Sequence, residues 1–490
     1  MEKPKILVFT TAYHPFIGGA EIAIREITRR LKDRFNFYII TSRFNRHLPR
    51  REVLPEGTVI RIGLGTRFDK SLLPFACTKL SLVQNAAVLG VDISQGSIAA
   101  AIFKIFHPKT PFIFNIQFGE SEKRLRRGRG GIISLMFRFI LSRADYVTAI
   151  STYLLDLARR YGYGGPGEVI PNGVDAVAYK TDRPPGTYRS YRIITTSRLV
   201  QKNGIDILIR AIAEVRKTIP DAECWIIGDG PERKNYESSI KNQGLENNIK
   251  IFGAVPHEKI PEYLHQADIF VRPSRSEGMG NSFVEALAAG LPIIGTPVGG
   301  ITDIIEDNKT GLFAKTDDPQ NLAEKIVRLL KDQELSLRIV RAGQKMVGER
   351  FSWDKIAETY NLLFQAKLGT YFKLSLEQQR PLRLLVATPL YPPEIGGPAL
   401  YAKNLGEEFK KAGQDIYISS FGGFLRYPSI VRHLLYFGAL LRRVVKSDVI
   451  FALDYTSVGF PAALASFLFR KPLVIRVEGD FLWESFVEPT

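Results

Sequence analysis

The sequence predicts an α/β chain of two doubly wound, Rossmann-like lobes with a cleft between them, followed by a partial third lobe. Three observations carry this. Strands of four to six residues alternate with amphipathic helices along most of the 490 residues, the pattern of parallel sheets built from right-handed βαβ units. One Gly- and Pro-rich run, GYGGPGEVIPNGVD, interrupts that alternation and marks an interdomain connection. Finally, KILVFTTAYHPFIGG, from Lys5, returns without gaps as RLLVATPLYPPEIGG, from Arg383, sharing Leu, Val, Thr, Tyr, Pro, Ile and both glycines.

In chain order, KILVFT reads as a strand, Ala20 to Leu31 as a helix and FYIIT as the next strand, with further units to about Gly165. A second series starts at YRIITTSR and continues through CWIIGDG, IKIFG, ADIFVRP and PIIGT to about Leu330. The pattern then turns helical and ends in FSWDKIAETYNLLFQAK, where Ser352 is the expected N-cap. The expected divisions are a first lobe over 1–170 with a returning helix over 352–367, a second lobe over 171–351, and a connector over 368–381. Residues 382–490 then form an incomplete second copy of the first lobe. Within that copy, LDYTSVG matches VDISQGS (Val91 to Ser97), and IRVEGD matches FNIQFGE (Phe114 to Glu120).

Composition bounds the chemistry. With 45% hydrophobic and 24% charged residues the chain is of the soluble globular type, long enough for about three domains at roughly 150 residues each. Cys77 and Cys224 stand far apart without a CxxC or Cys/His cluster, so neither a disulfide framework nor a zinc site is expected, and a cytoplasmic protein is. The apolar run after the N-terminal lysines is too short for a secretory signal. Val449 to Phe469 is broken by Asp454, Gly459 and Pro461 into a strand, a loop and a buried helix, so it is not read as a membrane span. The net charge is +17, and residues 1–150 hold 24 Lys and Arg against 11 Asp and Glu. Such asymmetry calls for an acidic partner. No nucleic-acid recognition motif accompanies it, which leaves anionic lipid or a phosphorylated substrate.

Chemistry concentrates in EGMGNSFVEALAAGLPIIGTPVGG, Glu277 to Gly300. Gly278 and Gly280 permit a tight loop with exposed backbone N–H groups, and a helix starting near Asn281 turns its positive end into the same space. Glu285 lies among Phe283, Val284, Ala286 and Leu287 with no cation at i+4, so it is expected to stand unpaired and reach a ligand hydroxyl. Seven residues separate Glu277 from Glu285. This Glu-x7-Glu element, together with IPNGVD and SRLVQKNGID, resembles the retaining glycosyltransferases of family 4, which have the two-lobed GT-B fold. The resemblance covers residues 5 to about 365.

It implies a sugar transferred from a nucleoside diphosphate sugar to an acceptor hydroxyl, with no cofactor, in cell-envelope glycan or glycolipid synthesis. Arg198 and Lys202 match the basic pair that holds the diphosphate, where fixed cations stabilise the leaving charge. No Asp-x-Asp occurs to hold a metal on that diphosphate, so activity without metal is expected. Glu285 matches the ribose-binding residue, while Glu277 and the backbone of Met279, Gly280, Asn281 and Ser282 match the part facing the donor sugar. Gly228, in GDGPE, matches the turn beneath the nucleotide, and Gly18 and Gly19 match the glycines that admit the phosphates.

One position departs from the family. Where many members place a histidine that contacts the donor sugar, this chain reads NIQFGES, with Gln117 the occupant, or Phe118 if the register shifts by one. Glutamine can donate a hydrogen bond but cannot carry a proton. Beyond it, Lys123, Arg124, Arg126, Arg127 and Arg129 precede an apolar segment. The run reads either as a solvated loop or as a site for an anionic membrane or lipid-phosphate acceptor, with the protein peripheral on the inner membrane face. Residues 382–490 lack counterparts of SRLVQKNGID, GDGPE and Glu-x7-Glu, so they are expected to be dispensable for the chemistry. Competing readings are another GT-B enzyme such as a nucleotide-sugar epimerase, or a non-catalytic sugar-nucleotide or membrane-binding protein.

Overall fold

The computed structural model describes residues 3–16, 18–66, 68–76, 85–181, 191–377, 383–394, 397–411, 414–455, 457–469 and 471–476. Cys77, the connector beyond Glu377 and the IRVEGD match beyond Arg476 lie outside them. The chain divides into two units, Met1–Phe372 and Lys373–Thr490.

In the first unit, eight strands form one sheet: β1 (Lys5–Phe9), β2 (Asn36–Ser42), β3 (Arg51–Leu54), β4 (Gly57–Ile62), β5 (Ala86–Val91), β6 (Phe112–Ile116), β7 (Tyr146–Ala149) and β8 (Gly167–Val169). Their order is β3-β4-β2-β1-β5-β6-β7-β8. The central strands read as continuous apolar runs because both faces are covered. Leu7, Phe9, Val88 and Phe114 face one core, while Ile6, Val8, Leu89 and Ile113 face another. One feature departs from the parallel expectation: β3 pairs antiparallel with β4. REVLPEGTVIRI is a hairpin whose Pro55–Glu56 link is too short for a parallel crossover.

The second lobe carries β9 (Arg192–Thr196), β10 (Glu223–Ile227), β11 (Ile249–Gly253), β12 (Ile269–Arg272), β13 (Ile293–Gly295) and β14 (Leu312–Phe313). They are ordered β11-β10-β9-β12-β13-β14, and every pairing is parallel. The helix Trp353–Glu377 then returns to the first lobe, where Trp353, Ile356, Tyr360 and Phe364 bury against Phe35, Phe37 and Ile39. It runs further than the sequence suggested, since the first part of the connector expected over 368–381 lies inside it. Phe364 meets Phe35 and Phe37 edge-on, at centroid separations of 5.6 and 6.5 Å. The returning helix therefore closes the apolar face of the first lobe.

In the second unit, β15 (Arg383–Thr388), β16 (Asp415–Ser420), β17 (Val449–Ala452) and β18 (Leu473–Ile475) form a parallel sheet ordered β16-β15-β17-β18. This is the order of β2-β1-β5-β6, so the repeat read in the sequence is also a repeat of topology. The helix Gly459–Phe469, expected to be buried, is only half so: Ala462 and Ala465 face the core while Phe460 and Phe467 are exposed.

Truncating Phe364 to Ala should leave a cavity beneath the returning helix and cost about 3 to 5 kcal/mol. Calorimetry should show the melting transition of the larger unit shifted down, with that of the smaller unit unmoved.

Candidate active site

The cleft of the first unit is built from two helix starts. Gly18 is the N-cap of the helix Gly19–Leu31, after β1. Gly280, at φ +95°, is the N-cap of Asn281–Ala288, after β12. The two starts face each other, since a Cβ added at Gly19 would lie 3.8 Å from the Asn281 Nδ2. Two helices that turn unsatisfied N–H groups towards one space make it favourable for an anion. The Glu21 carboxylate lies beside Gly18, 2.7 Å from where a Cβ there would sit, and burial raises its pKa above the ordinary carboxylate range.

Cations reach the cleft from the loop after β9. The Lys202 ammonium donates to the Gly119 carbonyl (2.6 Å) and lies 3.4 Å from Glu120 Oε1, bridging to the first lobe. Gly119 makes room for this, because a Cβ there would sit 3.3 Å from Lys202 Nζ and 3.6 Å from Glu277 Oε1. Arg198 is exposed, and its carbonyl accepts from Asn203 Nδ2 (2.6 Å). The GDGPE turn lies directly beneath that loop. Gly228 takes φ +142° and its N–H donates to Gly253 O (2.8 Å), while the Leu199 N–H donates to Asp229 O (3.0 Å).

Glu277 is held from both sides. Its Oε1 accepts from the Gly278 N–H (3.1 Å), and Arg272 grips its Oε2 while reaching Ser282 Oγ (2.8 Å) and Asn203 Oδ1 (3.1 Å). The loop that follows is tied to the first lobe, since Ser151 Oγ donates to Gly278 O (2.6 Å) and the Asn172 N–H points to Met279 Sδ (3.3 Å). Glu277, Gly278, Met279, Gly280, Asn281 and Ser282 are thus brought together with Lys202, Gly18 and Gly19.

Glu285 requires a correction. It is not unpaired, because His257, 28 positions earlier, donates from Nε2 to its Oε1 (3.0 Å). The hydrogen bond to Glu285 is the largest influence on the His257 imidazole and raises its pKa. The pair lines a pocket of about 230 Å³ with Arg25, Asp175, Tyr179 and Asn281. Nothing in the i+4 pattern could show a partner from another element.

The Gln117 amide is engaged at both ends. Its Nε2 donates to Asn115 Oδ1 (2.8 Å), and its Oε1 accepts from Asn172 Nδ2 (3.1 Å). Asn115 in turn donates to Thr148 Oγ1 (3.0 Å) and to the hydroxyl of Tyr360 (2.9 Å) on the returning helix. The side chain therefore links β6 to the IPNGVD connection. The basic run is not the solvated loop that one reading gave: Glu122–Arg127 is a helix capped by Ser121, with Lys123, Arg126 and Arg127 exposed, and Arg129 lies in the 3-10 turn after it. Arg124 pairs with Glu120 (3.2 Å). Among the described residues, no group of three or more His, Cys, Asp or Glu side chains is placed to hold a metal ion.

Two family models match this unit in succession. One described as Glycosyltransferase Family 4 spans residues 17–177, and one described as Glycosyl transferases group 1 spans 183–346. The fold and the cleft define a GT-B glycosyltransferase. The chain belongs to the family 4 type, with both of its domains in order. Among relatives, it is 29% identical over 238 residues to a GDP-mannose-dependent alpha-(1-6)-phosphatidylinositol monomannoside mannosyltransferase of Mycobacterium tuberculosis, covering 45% of this chain and 62% of that protein. The match therefore spans less than two thirds of the mycobacterial enzyme. It is 28% identical over 383 residues to the N-acetyl-alpha-D-glucosaminyl L-malate synthase of Bacillus anthracis, covering 74% of this chain and 97% of that protein. A sucrose-phosphate synthase from Thermosynechococcus elongatus shares the fold at a TM-score of 0.65 and 20% identity, over 75% of this chain and all of that one.

Replacing Glu285 by Gln should return the His257 ring towards its ordinary titration point near pH 6.5, followed by NMR of the ring protons. Because the pair favours the protonated ring, its contribution to stability is complete below the ordinary histidine value and fades as pH rises through the raised one. The slope of melting temperature against pH in that window should flatten in the variant.

Proposed function

We propose that this protein transfers a sugar from a nucleoside diphosphate sugar to an acceptor hydroxyl, with retention at the anomeric carbon and without a metal. The observation that carries the reading is the convergence of two helix N-termini with Lys202 and a fixed Glu277 in one cleft. A diphosphate would satisfy the open N–H groups and draw Lys202 from its carbonyl, and the cation would then meet the charge that develops as the diphosphate departs. Glu277 is oriented for donor-sugar hydroxyls by Arg272. Glu285, with His257, suits the ribose. The mannosyl and N-acetylglucosaminyl relatives support a hexose donor, and the names of both fit cell-surface or small-molecule glycoside synthesis.

The acceptor reading is a lipid-linked or membrane-adjacent glycan. The basic helix packs on Ile132–Leu141, which packs on Gln95–Phe106, which packs on Asp69–Ala76. These helices expose Leu135, Phe106 and Phe75, which are 70%, 61% and 76% accessible. Cations beside protruding apolar side chains suit an anionic bilayer surface. No described helix is long and apolar enough to cross a membrane. All of the chemistry proposed here lies within residues 18–285, which is why the second unit is read as dispensable to it.

Arg198→Ala and Lys202→Ala should each lose about 2.7 to 4 kcal/mol of transition-state stabilisation, a fall of roughly 10² to 10³ in turnover. Turnover of wild type should persist in EDTA. Measured with GDP-mannose and UDP-N-acetylglucosamine as donors, unchanged rates in both variants, or a complete loss in EDTA restored by Mn²⁺, would contradict the mechanism.

Wild type should sediment with phosphatidylglycerol vesicles at low salt and be released as the Debye length shrinks towards about 3 Å near 1 M salt. Reversing Lys123, Arg126 and Arg127 to Glu should abolish that association. Indifference of wild type to the vesicles would argue for a soluble acceptor.

A further inference from the structure

β5 ends at Val91, and the next residue, Asp92, takes φ +60°, in the left-handed region. Its N–H donates to Asn115 O on β6 (2.8 Å). Asp92 follows one of the two strands, β1 and β5, from which the strand order runs outward in opposite directions. The crevice beyond the carboxyl ends of such a pair is where open α/β sheets take their ligands. Gly18 and Gly19 come from the β1 side of that crevice, and Asp92 comes from the β5 side.

The backbone N–H groups of Ile93 and Gln117 favour the charged form of the Asp92 carboxylate, yet its Oδ1 is buried with no hydrogen-bond partner among the described residues. Leaving such an oxygen unmet costs on the order of a full desolvation penalty. The charged groups that face it are Lys202 from the second lobe, Glu120 from the loop after β6 and Glu21 from the first helix. Burial dominates and raises the carboxyl pKa; the Lys202 charge opposes that shift and Glu120 adds to it.

A purely structural duty for this residue is visible in the repeat. In the second unit the matching Asp454 is spent on the loop before the next helix, accepting from the Val458 N–H (2.9 Å) and from Ser457 Oγ. In the first lobe the turn after the strand is held by Ser94 instead, whose Oγ donates to Val91 O (2.9 Å) and accepts from the Ser97 N–H (3.4 Å) at the start of Gln95–Phe106. Asp92 is thereby left over for the cleft. Resting on the glycosyltransferase reading above, we propose that Asp92 binds the acceptor: the hydroxyl that receives the sugar donates its hydrogen to Asp92 Oδ1.

Asn and Gly both tolerate the left-handed backbone, Gly without any steric cost. If residue 92 served only the turn, Asp92→Gly would be neutral. The expectation is that Asp92→Asn and Asp92→Gly melt no lower than wild type and bind GDP, UDP, GDP-mannose and UDP-N-acetylglucosamine within twofold of it. Both should nevertheless lose at least tenfold in donor turnover, with water and a panel of octyl glycosides as acceptors. Wild-type turnover should also rise with pH as a carboxyl above the ordinary range ionises, and Asp92→Asn should lack that limb. Unchanged turnover in Asp92→Gly would overturn the proposal. So would weakened binding of bare GDP or UDP, which would assign the carboxylate to the donor site. Wild type that binds none of these nucleotides would refute the glycosyltransferase reading itself, without need of a variant.

Discussion

The cleft depends on a close approach of two backbones. A Cβ at Gly278 would lie 2.6 Å from Phe118 O and 3.3 Å from Gly119 Cα, so the loop after β12 and the loop after β6 touch where neither residue carries a side chain. That contact lets Lys202, anchored in the second lobe, rest its ammonium on the Gly119 carbonyl and brings Glu277 alongside. A side chain at Gly278 would collide with the Phe118 carbonyl and force the two loops apart, whereas one at Gly119 would press on the flexible end of Lys202. Charges separated in this way would lose strength quickly, because water entering the gap raises the effective dielectric.

Around this contact, the charged side chains are fixed by neighbours rather than by the ligand. Arg272, only 11% exposed, ties Glu277 to Asn203 and Ser282. Arg275 clamps the adjoining loop through Asp206 (2.7 Å) and Asp317 (2.6 Å). On the first-lobe side, a hydrogen-bond chain from Tyr360 through Asn115 and Gln117 reaches Asn172. Groups held in place before the substrate arrives need little reorganisation when charge develops. Gln117 fits this pattern as a member of the frame, since its amide donates to Asn115 and accepts from Asn172 at once.

The sheets were legible in the sequence because buried parallel strands are continuous apolar runs, and KILVF and IFVR could be little else. The hairpin over residues 51–62 was not, since its outer strand, REVL, is half polar and lies at the sheet edge. Within the cleft, the glycines and the Glu-x7-Glu spacing were readable because they are local. His257 against Glu285, and Gln117 against Asn172 at a separation of 55 residues, are pairings that only the fold creates. The left-handed Asp92 was equally hidden. Nothing in VDISQGS distinguishes a carboxylate that caps a helix from one left over beside it.

The repeat shows why topology alone does not make this site. The second unit reproduces the strand order, the helix after the first strand and an acidic residue after the third strand in sequence. What it reproduces is one wall of a cleft. Lys202, Glu277, Asn281 and Glu285 all come from the lobe beginning at β9, and the charges that answer the first lobe's glycines are therefore supplied across the gap, not within the copied motif. In the second unit Asp454 is consumed by its own loop, with both carboxylate oxygens engaged by Ser457 and Val458. In the first lobe Ser94 holds the turn and caps the following helix, and Asp92 keeps one oxygen without a partner among the described residues. A small change in which side chain holds the turn after a strand can thus decide whether the carboxylate at a sheet's switch point is structural or faces a ligand.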